Sequence, residues 1–152
     1  MLTLKRTDSK NEDFISLVKL LDADLAIRDG IEHDFYNQFN GITSLQYVIV
    51  AYEDECPVGC GAIKAFETNA MEIKRMFVQP AFRGRSIASA IITALEMWSA
   101  EMKKEKCVLE TGIKQPEAIA LYQKQGYIQI PNYDQYQGIA NSLCFEKILI
   151  QK

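Results

Sequence analysis

Apolar and polar residues alternate in LTLKRT, residues 2–7, the period of a half-buried strand. SKNE at 9–12 fits a capping box. Phe14, Leu17, Val18, Leu21 and Leu25 then recur at helical spacing. A second helix is expected through Ile31, Phe35 and Phe39, stopped by Asn40-Gly41. Three β-rich runs follow at 45–53, 58–67 and 68–78, with connections short enough for antiparallel neighbours. In the third, alternation slips: Ile73 precedes polar Lys74 and Arg75, and Met76, Phe77 and Val78 are all apolar. A β-bulge produces such a slip, and bulges are frequent beside active sites. Ile87, Ile91, Leu95, Trp98 and Met102 mark one face of a long helix, with Lys103 and Lys104 suiting its negative end. A strand at 106–111 leads to a helix at 115–126, with Pro116 near its start and Gly126 just past its end. Strands at 127–130 and 141–150 close the chain. The order β α α β β β α β α β β describes a mixed α/β domain whose central parallel crossover runs through the long helix.

The 152 residues show no repeat or linker, so one domain over 1–152 is expected. Apolar residues make up 48% and charged residues 24%, an ordinary globular balance. No apolar run approaches the length of a transmembrane helix. The first residues lack the apolar core of a signal peptide, so a cytoplasmic location is the expectation. A net charge of −3 argues against a general nucleic-acid binder. Four cysteines, Cys56, Cys60, Cys107 and Cys144, with one histidine, His33, form no zinc-ligand spacing, so buried free thiols are expected and no metal.

The junction FRGRSIA, 82–88, joins the bulged strand to the long helix. A helix start offers free N–H groups and partial positive charge, and glycine lets backbone approach a phosphate. Arg83 and Arg85 add charge, and Ser86 can cap the helix or bond an oxygen. The junction therefore reads as a pyrophosphate cradle. It matches neither the P-loop nor the dinucleotide fingerprint, and a solvated turn with two surface arginines is the alternative. If the bulged strand and the next one splay, a slot opens above the helix start. A diphosphate with an extended amide arm fits there, the arm pairing with backbone around Met76 and Val78 as a strand would. Coenzyme A has that shape.

EIKRMFVQPAFRGRSIASAII, 72–92, resembles motif A of the GNAT N-acetyltransferase superfamily, and QPEAIALYQKQGY, 115–127, resembles its motif B. The likeness covers about residues 45–130. It implies a GNAT-like mixed central sheet with antiparallel N-terminal strands, a splayed parallel pair at the centre and about four flanking helices. Ser86 stands where the family usually has glycine, and Gln115 where many members have asparagine.

The resemblance implies acetyl-CoA as cosubstrate and direct attack by a primary amine. Backbone N–H groups of Arg83, Gly84, Arg85, Ser86, Ile87 and Ala88 would hold the pyrophosphate. Met76, Phe77 and Val78 would line the pantetheine arm, with the Met76 N–H polarising the thioester carbonyl, and Gln115 and Ala118 would flank it. Tyr122 would protonate the leaving thiolate, a phenol of pKa about 10 matching a thiolate of similar basicity. Glu72 on the bulged strand is the candidate base, Glu110 its rival, and His33 a surface alternative. Lys74 and Arg75 read by default as exposed strand charges that could touch the cofactor. The acceptor, a small-molecule or peptide amine, would lie between residues 22–36 and the 131–140 loop carrying Tyr133, Asp134 and Tyr136. Family members often dimerise, so a homodimer fits. A non-catalytic acyl-CoA-binding sensor and a module for another nucleotide are the competing readings.

Overall fold

The computed structural model describes residues 1–29 and 45–149. The helix expected over 31–39, and His33 with it, lie outside the described residues. The remaining elements follow the expected order. They are β1 (Leu2–Thr7), α1 (Glu12–Asp29), β2 (Tyr47–Glu53), β3 (Cys56–Phe66), β4 (Ala70–Val78), a 3₁₀ turn (Pro80–Phe82), α2 (Ile87–Glu101), β5 (Lys106–Gly112), α3 (Pro116–Lys124), β6 (Ile128–Ile130), a second 3₁₀ turn (Asp134–Tyr136) and β7 (Ser142–Ile148).

The seven strands form one sheet in the order β1-β2-β3-β4-β5-β7-β6. Among the described residues only β4 and β5 pair in parallel, through Ala70–Ile73 and Lys106–Leu109. Beyond Ile73 and Leu109 the two strands share no ladder, and there the sheet opens. Helix α2 is the crossover between them. Its Ile87, Ile91, Ile92 and Leu95 pack with Ile49, Ile63, Met71, Ile73, Leu109, Tyr122 and Phe145 into one core. On the other face Phe14, Leu17, Val18 and Leu21 of α1 pack with Val48, Val50, Ala62 and Phe77. The helices thus clamp the sheet from both sides, and the central strands are accordingly buried along nearly continuous runs, not at alternate residues.

The expected bulge is present. Ala62 pairs with Lys74 but Cys60 pairs with Phe77, so Gly61 opposes both Arg75 and Met76. Arg75 adopts a left-handed backbone, φ 59°, and the buried Cys60 thiol donates to its carbonyl at 3.4 Å. Gly61 lets the strands and α2 approach: a Cβ there would lie 2.5 Å from Met76 Sδ and 2.9 Å from Ile91 Cγ2.

Two helix ends are informative. The capping box at Ser9 is not used; Asn11 Oδ1 accepts the Phe14 N–H at 2.9 Å instead, while Ser9 donates its own N–H to Leu45. At the end of α3 the Gly126 N–H reaches the Gln123 carbonyl and the Tyr127 N–H reaches that of Tyr122, a Schellman closure with Gly126 at φ 96°. It locks the turn of helix that carries Tyr122.

Candidate active site

The opening between β4 and β5 continues into two joined cavities. The larger, about 400 Å³, runs from Met76, Phe77 and Val78 over Arg83, Gly84, Ser86, Ile87 and Ala88, with Gln115 and Ala118 opposite. The smaller, about 110 Å³, holds Glu72, Lys74, Arg75, Glu110 and Tyr136. Leu21, Met76, Gln115, Ala118 and Tyr122 line both. The structure therefore brings together every expected cofactor-side residue except Arg85, whose guanidinium sits over the Phe82 ring, 5.2 Å from its centroid. Phe82, Ser89 and Lys124 also line the larger cavity and were not singled out from sequence. Lys124 carried a legible signal as a basic residue in the last turn of α3.

The cradle is built from backbone. Gly84 has φ 82° with nothing near its Cβ position. Ser86, at the start of α2, has φ 63° and makes no side-chain cap. Of the two roles open to its hydroxyl, capping the helix is therefore not used, and the residue occupies a conformation that glycine adopts without cost. Arg83 Nε donates to the Val78 carbonyl at 2.8 Å, tying the loop to the end of β4. The first N–H groups of α2 have no intrahelical acceptors, as at any helix start, and residues 86–89, which carry them, line the larger cavity. The Gln115 side chain does not cap α3 and lines both cavities.

Tyr122 is buried, 7% exposed, and meets Tyr127 edge-on at 5.9 Å. Burial, with a smaller contribution from the Glu110 charge, pushes its phenol well above the ordinary value. It stays protonated across the working pH range, so it enters the reaction as a proton donor and not as a base, and it is a weaker acid than the matched phenol of pKa about 10 expected from the resemblance.

The acidic end departs from expectation. Lys74 and Arg75 are buried, not exposed, with side chains 6% and 2% accessible. Arg75 pairs with Asp22 of α1; its Nε is buried and has no hydrogen-bond partner among the described residues. Glu72 is buried too. It accepts a 2.8 Å hydrogen bond from the Tyr133 hydroxyl and lies 3.6 Å from Lys74 Nζ. Burial, then the Glu72 charge, raises the Tyr133 phenol far above normal, so it holds its proton on Glu72. Of the 131–140 loop, Tyr136 lines the smaller cavity. Tyr136 is almost fully buried at its edge, and burial first, then the Glu110 and Glu72 charges, raise its phenol likewise. Among the described residues no His, Cys, Asp or Glu cluster could hold a metal ion. No helix among them is long and apolar enough to cross a membrane.

With this geometry in view, comparison places the chain among known proteins. The model of the Acetyltransferase (GNAT) family matches residues 14–127, and the chain belongs to that family. An IAA acetyltransferase of Azospirillum brasilense is 39% identical over 103 residues, 66% of this chain and 67% of that protein. N-alpha-acetyltransferase 30 of Saccharomyces cerevisiae is 27% identical over 89% of this chain and 81% of its own length. A crystal structure from Klebsiella pneumoniae, assigned as an acyl-CoA N-acyltransferase, superposes with a TM-score of 0.83 at 28% identity, covering 99% of both chains. The PaiA N-acetyltransferase of Thermoplasma acidophilum, solved with coenzyme A, shares the fold with a TM-score of 0.74 at 14% identity over 97% of this chain and 99% of that one. The protein is an acetyltransferase, and enzymes of its family take the acetyl group from acetyl-CoA.

Proposed function

We propose that residues 1–152 form one GNAT-type domain that passes an acetyl group from acetyl-CoA directly to a primary amine while both are bound. One observation carries this reading. Tyr122 lines two joined cavities, one walled by the helix-start cradle and the other by the buried Glu72 and the half-buried Glu110. The two substrates would meet at its hydroxyl.

In this reading the pyrophosphate lies on the N–H groups of residues 83–88, and the pantetheine arm runs beside Met76 to Val78, flanked by Gln115 and Ala118. The Met76 N–H, just after the bulge, polarises the thioester carbonyl and stabilises the tetrahedral oxyanion. Once the ammonium has given up one proton to Glu72, the free amine attacks, the C–S bond breaks and the Tyr122 proton passes to the thiolate, while the second proton of the acylated nitrogen returns to the Tyr122 phenolate. Glu72 takes that first proton directly or through water, and the Tyr133 hydrogen bond, which fixes its orientation, supports the role. Glu110 is the rival, favoured by its electrostatic reach to Tyr122 and Tyr136. The presence of both Tyr122 and a carboxylate on the bulged strand argues against a sensor without chemistry. Thiol release from acetyl-CoA in the presence of an amine panel tests the reading. Acetyl-CoA binding without thiol release for any amine would favour the sensor. The expectation of a cytoplasmic location comes from the first residues of the sequence, and that of a homodimer from the family resemblance.

A further inference from the structure

We infer, building on the acetyl-transfer reading, that the acceptor is an amine that also carries a carboxylate: a free amino acid or a close zwitterionic analogue. The smaller cavity holds charges of both signs, Glu72 and Glu110 with Lys74 and Arg75. Consecutive strand residues normally point to opposite faces. Here the bulge, with Arg75 at φ 59°, turns both cations to one cavity. Two cations with side chains 6% and 2% exposed are costly to bury unless they are well paired, and neither is fully served. The Lys74–Glu72 separation of 3.6 Å exceeds a hydrogen bond. Arg75 pairs with Asp22 through one terminal nitrogen, while its buried Nε has no partner among the described residues. A guanidinium edge with a free Nε–H, beside an ammonium, is the donor set a carboxylate takes best. The carboxylate end of the acceptor sits on Arg75 and Lys74, and the amine end lies toward Glu72, Glu110 and the Tyr122 hydroxyl. The cavity's size, about 110 Å³, suits a small molecule. A polyamine would bring more positive charge against two buried cations, and a peptide N-terminus has no carboxylate within reach of them.

The test uses the whole chain with saturating acetyl-CoA and follows thiol release. Each acceptor is compared with its carboxamide and with the amine lacking the carboxyl group: alanine with alaninamide and ethylamine, and likewise for larger side chains. Spermidine and a blocked-carboxyl tripeptide complete the panel. Carboxamide amines are less basic than those of the free acids, so at neutral pH simple reactivity favours the amide. The inference expects kcat/KM at least tenfold higher for the best free acid than for its two partners. In Lys74→Gln that ratio should shrink, mostly through KM, with acetyl-CoA affinity by calorimetry unchanged. Equal or better turnover of the carboxamide, the decarboxylated amine, spermidine or the tripeptide overturns it. So does bound acetyl-CoA with no turnover of any free acid. Failure of acetyl-CoA to bind at all is a different result and sinks the transfer reading beneath it.

Discussion

Gly61 sits across the ladder from the bulge, and replacing it by alanine tests whether the bulge aims Met76. Its φ is not in the left-handed region, so alanine can adopt the backbone. The change alone would stabilise by about 0.4–1 kcal/mol through the unfolded chain. Against that, the new methyl would meet Met76 Sδ at 2.5 Å, Ile91 Cγ2 at 2.9 Å and Leu95 Cδ1 at 3.0 Å. The Met76 and Leu95 atoms are ends of flexible side chains; Ile91 Cγ2 is fixed at a branched Cβ in the middle of α2. Overpacking of this kind costs about 1–3 kcal/mol, so a net loss of about 1–2 kcal/mol is expected. For a chain of this size that lowers Tm by about 2–8 °C. Relief comes most easily by moving Met76, whose N–H is assigned to the thioester carbonyl. A shift of order 1 Å can lower turnover about 10²-fold. The assay is thermal unfolding and steady-state thiol release for Gly61→Ala, Met76→Ala and the double variant. Because the clash is largely with Met76, the Gly61→Ala penalty should shrink by about 0.5 kcal/mol or more in the Met76→Ala background, a coupling of the size neighbouring residues show. A Tm that rises, or a penalty identical in both backgrounds, would refute the reasoning.

Three further outcomes are expected. Gly84→Val should fold yet weaken CoA at least tenfold by calorimetry, because φ 82° is closed to a β-branched residue and the cradle must re-form; unchanged affinity would remove the cradle from 83–88. Glu72→Gln should lower turnover most at low pH with near-normal acetyl-CoA affinity, and if its pH–rate profile matches the parent's while Glu110→Gln loses turnover, Glu110 is the base. Cys56 is exposed and Cys60, Cys107 and Cys144 are buried, so the native chain should show one fast thiol with an aromatic disulfide reagent and four after denaturation. Burial holds the Cys60 and Cys107 thiols up to about 12 and about 11, against 9.0 unfolded. The unfolded chain therefore loses these protons first, and stability falls as pH rises from about 9 to 11. Each thiol contributes up to about 1.4 kcal/mol per pH unit, and a flat denaturation midpoint over that window would contradict the burial.

Much of this was legible in the residues because local rules and tertiary structure agree. The bulge showed itself as a broken alternation at Lys74-Arg75, and the α3 ending as Gly126. The cradle showed itself as a glycine and charge between strand and helix. What stayed hidden needed three dimensions. Ser9 and Asn11 are both competent caps, and the choice fell to Asn11 while the Ser9 N–H went to Leu45, a contact between distant segments. Lys74 and Arg75 read as exposed because charges usually are. Their burial follows from β4 lying mid-sheet beneath α1, which sequence spacing does not report. Tyr133 and Tyr136 were visible as aromatics of the last loop, but their meeting with Glu72 and the cavity depends on β7 inserting between β5 and β6.

The central claim, acetyl transfer completed by proton donation from Tyr122, is tested most directly by Tyr122→Phe. Phenylalanine keeps the ring packed on Tyr127 and removes only the hydroxyl. The variant should fold and bind acetyl-CoA as the parent does, while turnover falls by about 10²–10⁴, the range for one general acid. With a thioester whose thiol is a better leaving group, the loss should shrink. Undiminished turnover with ordinary acetyl-CoA would contradict the account, and so would a collapse of cofactor affinity in place of rate.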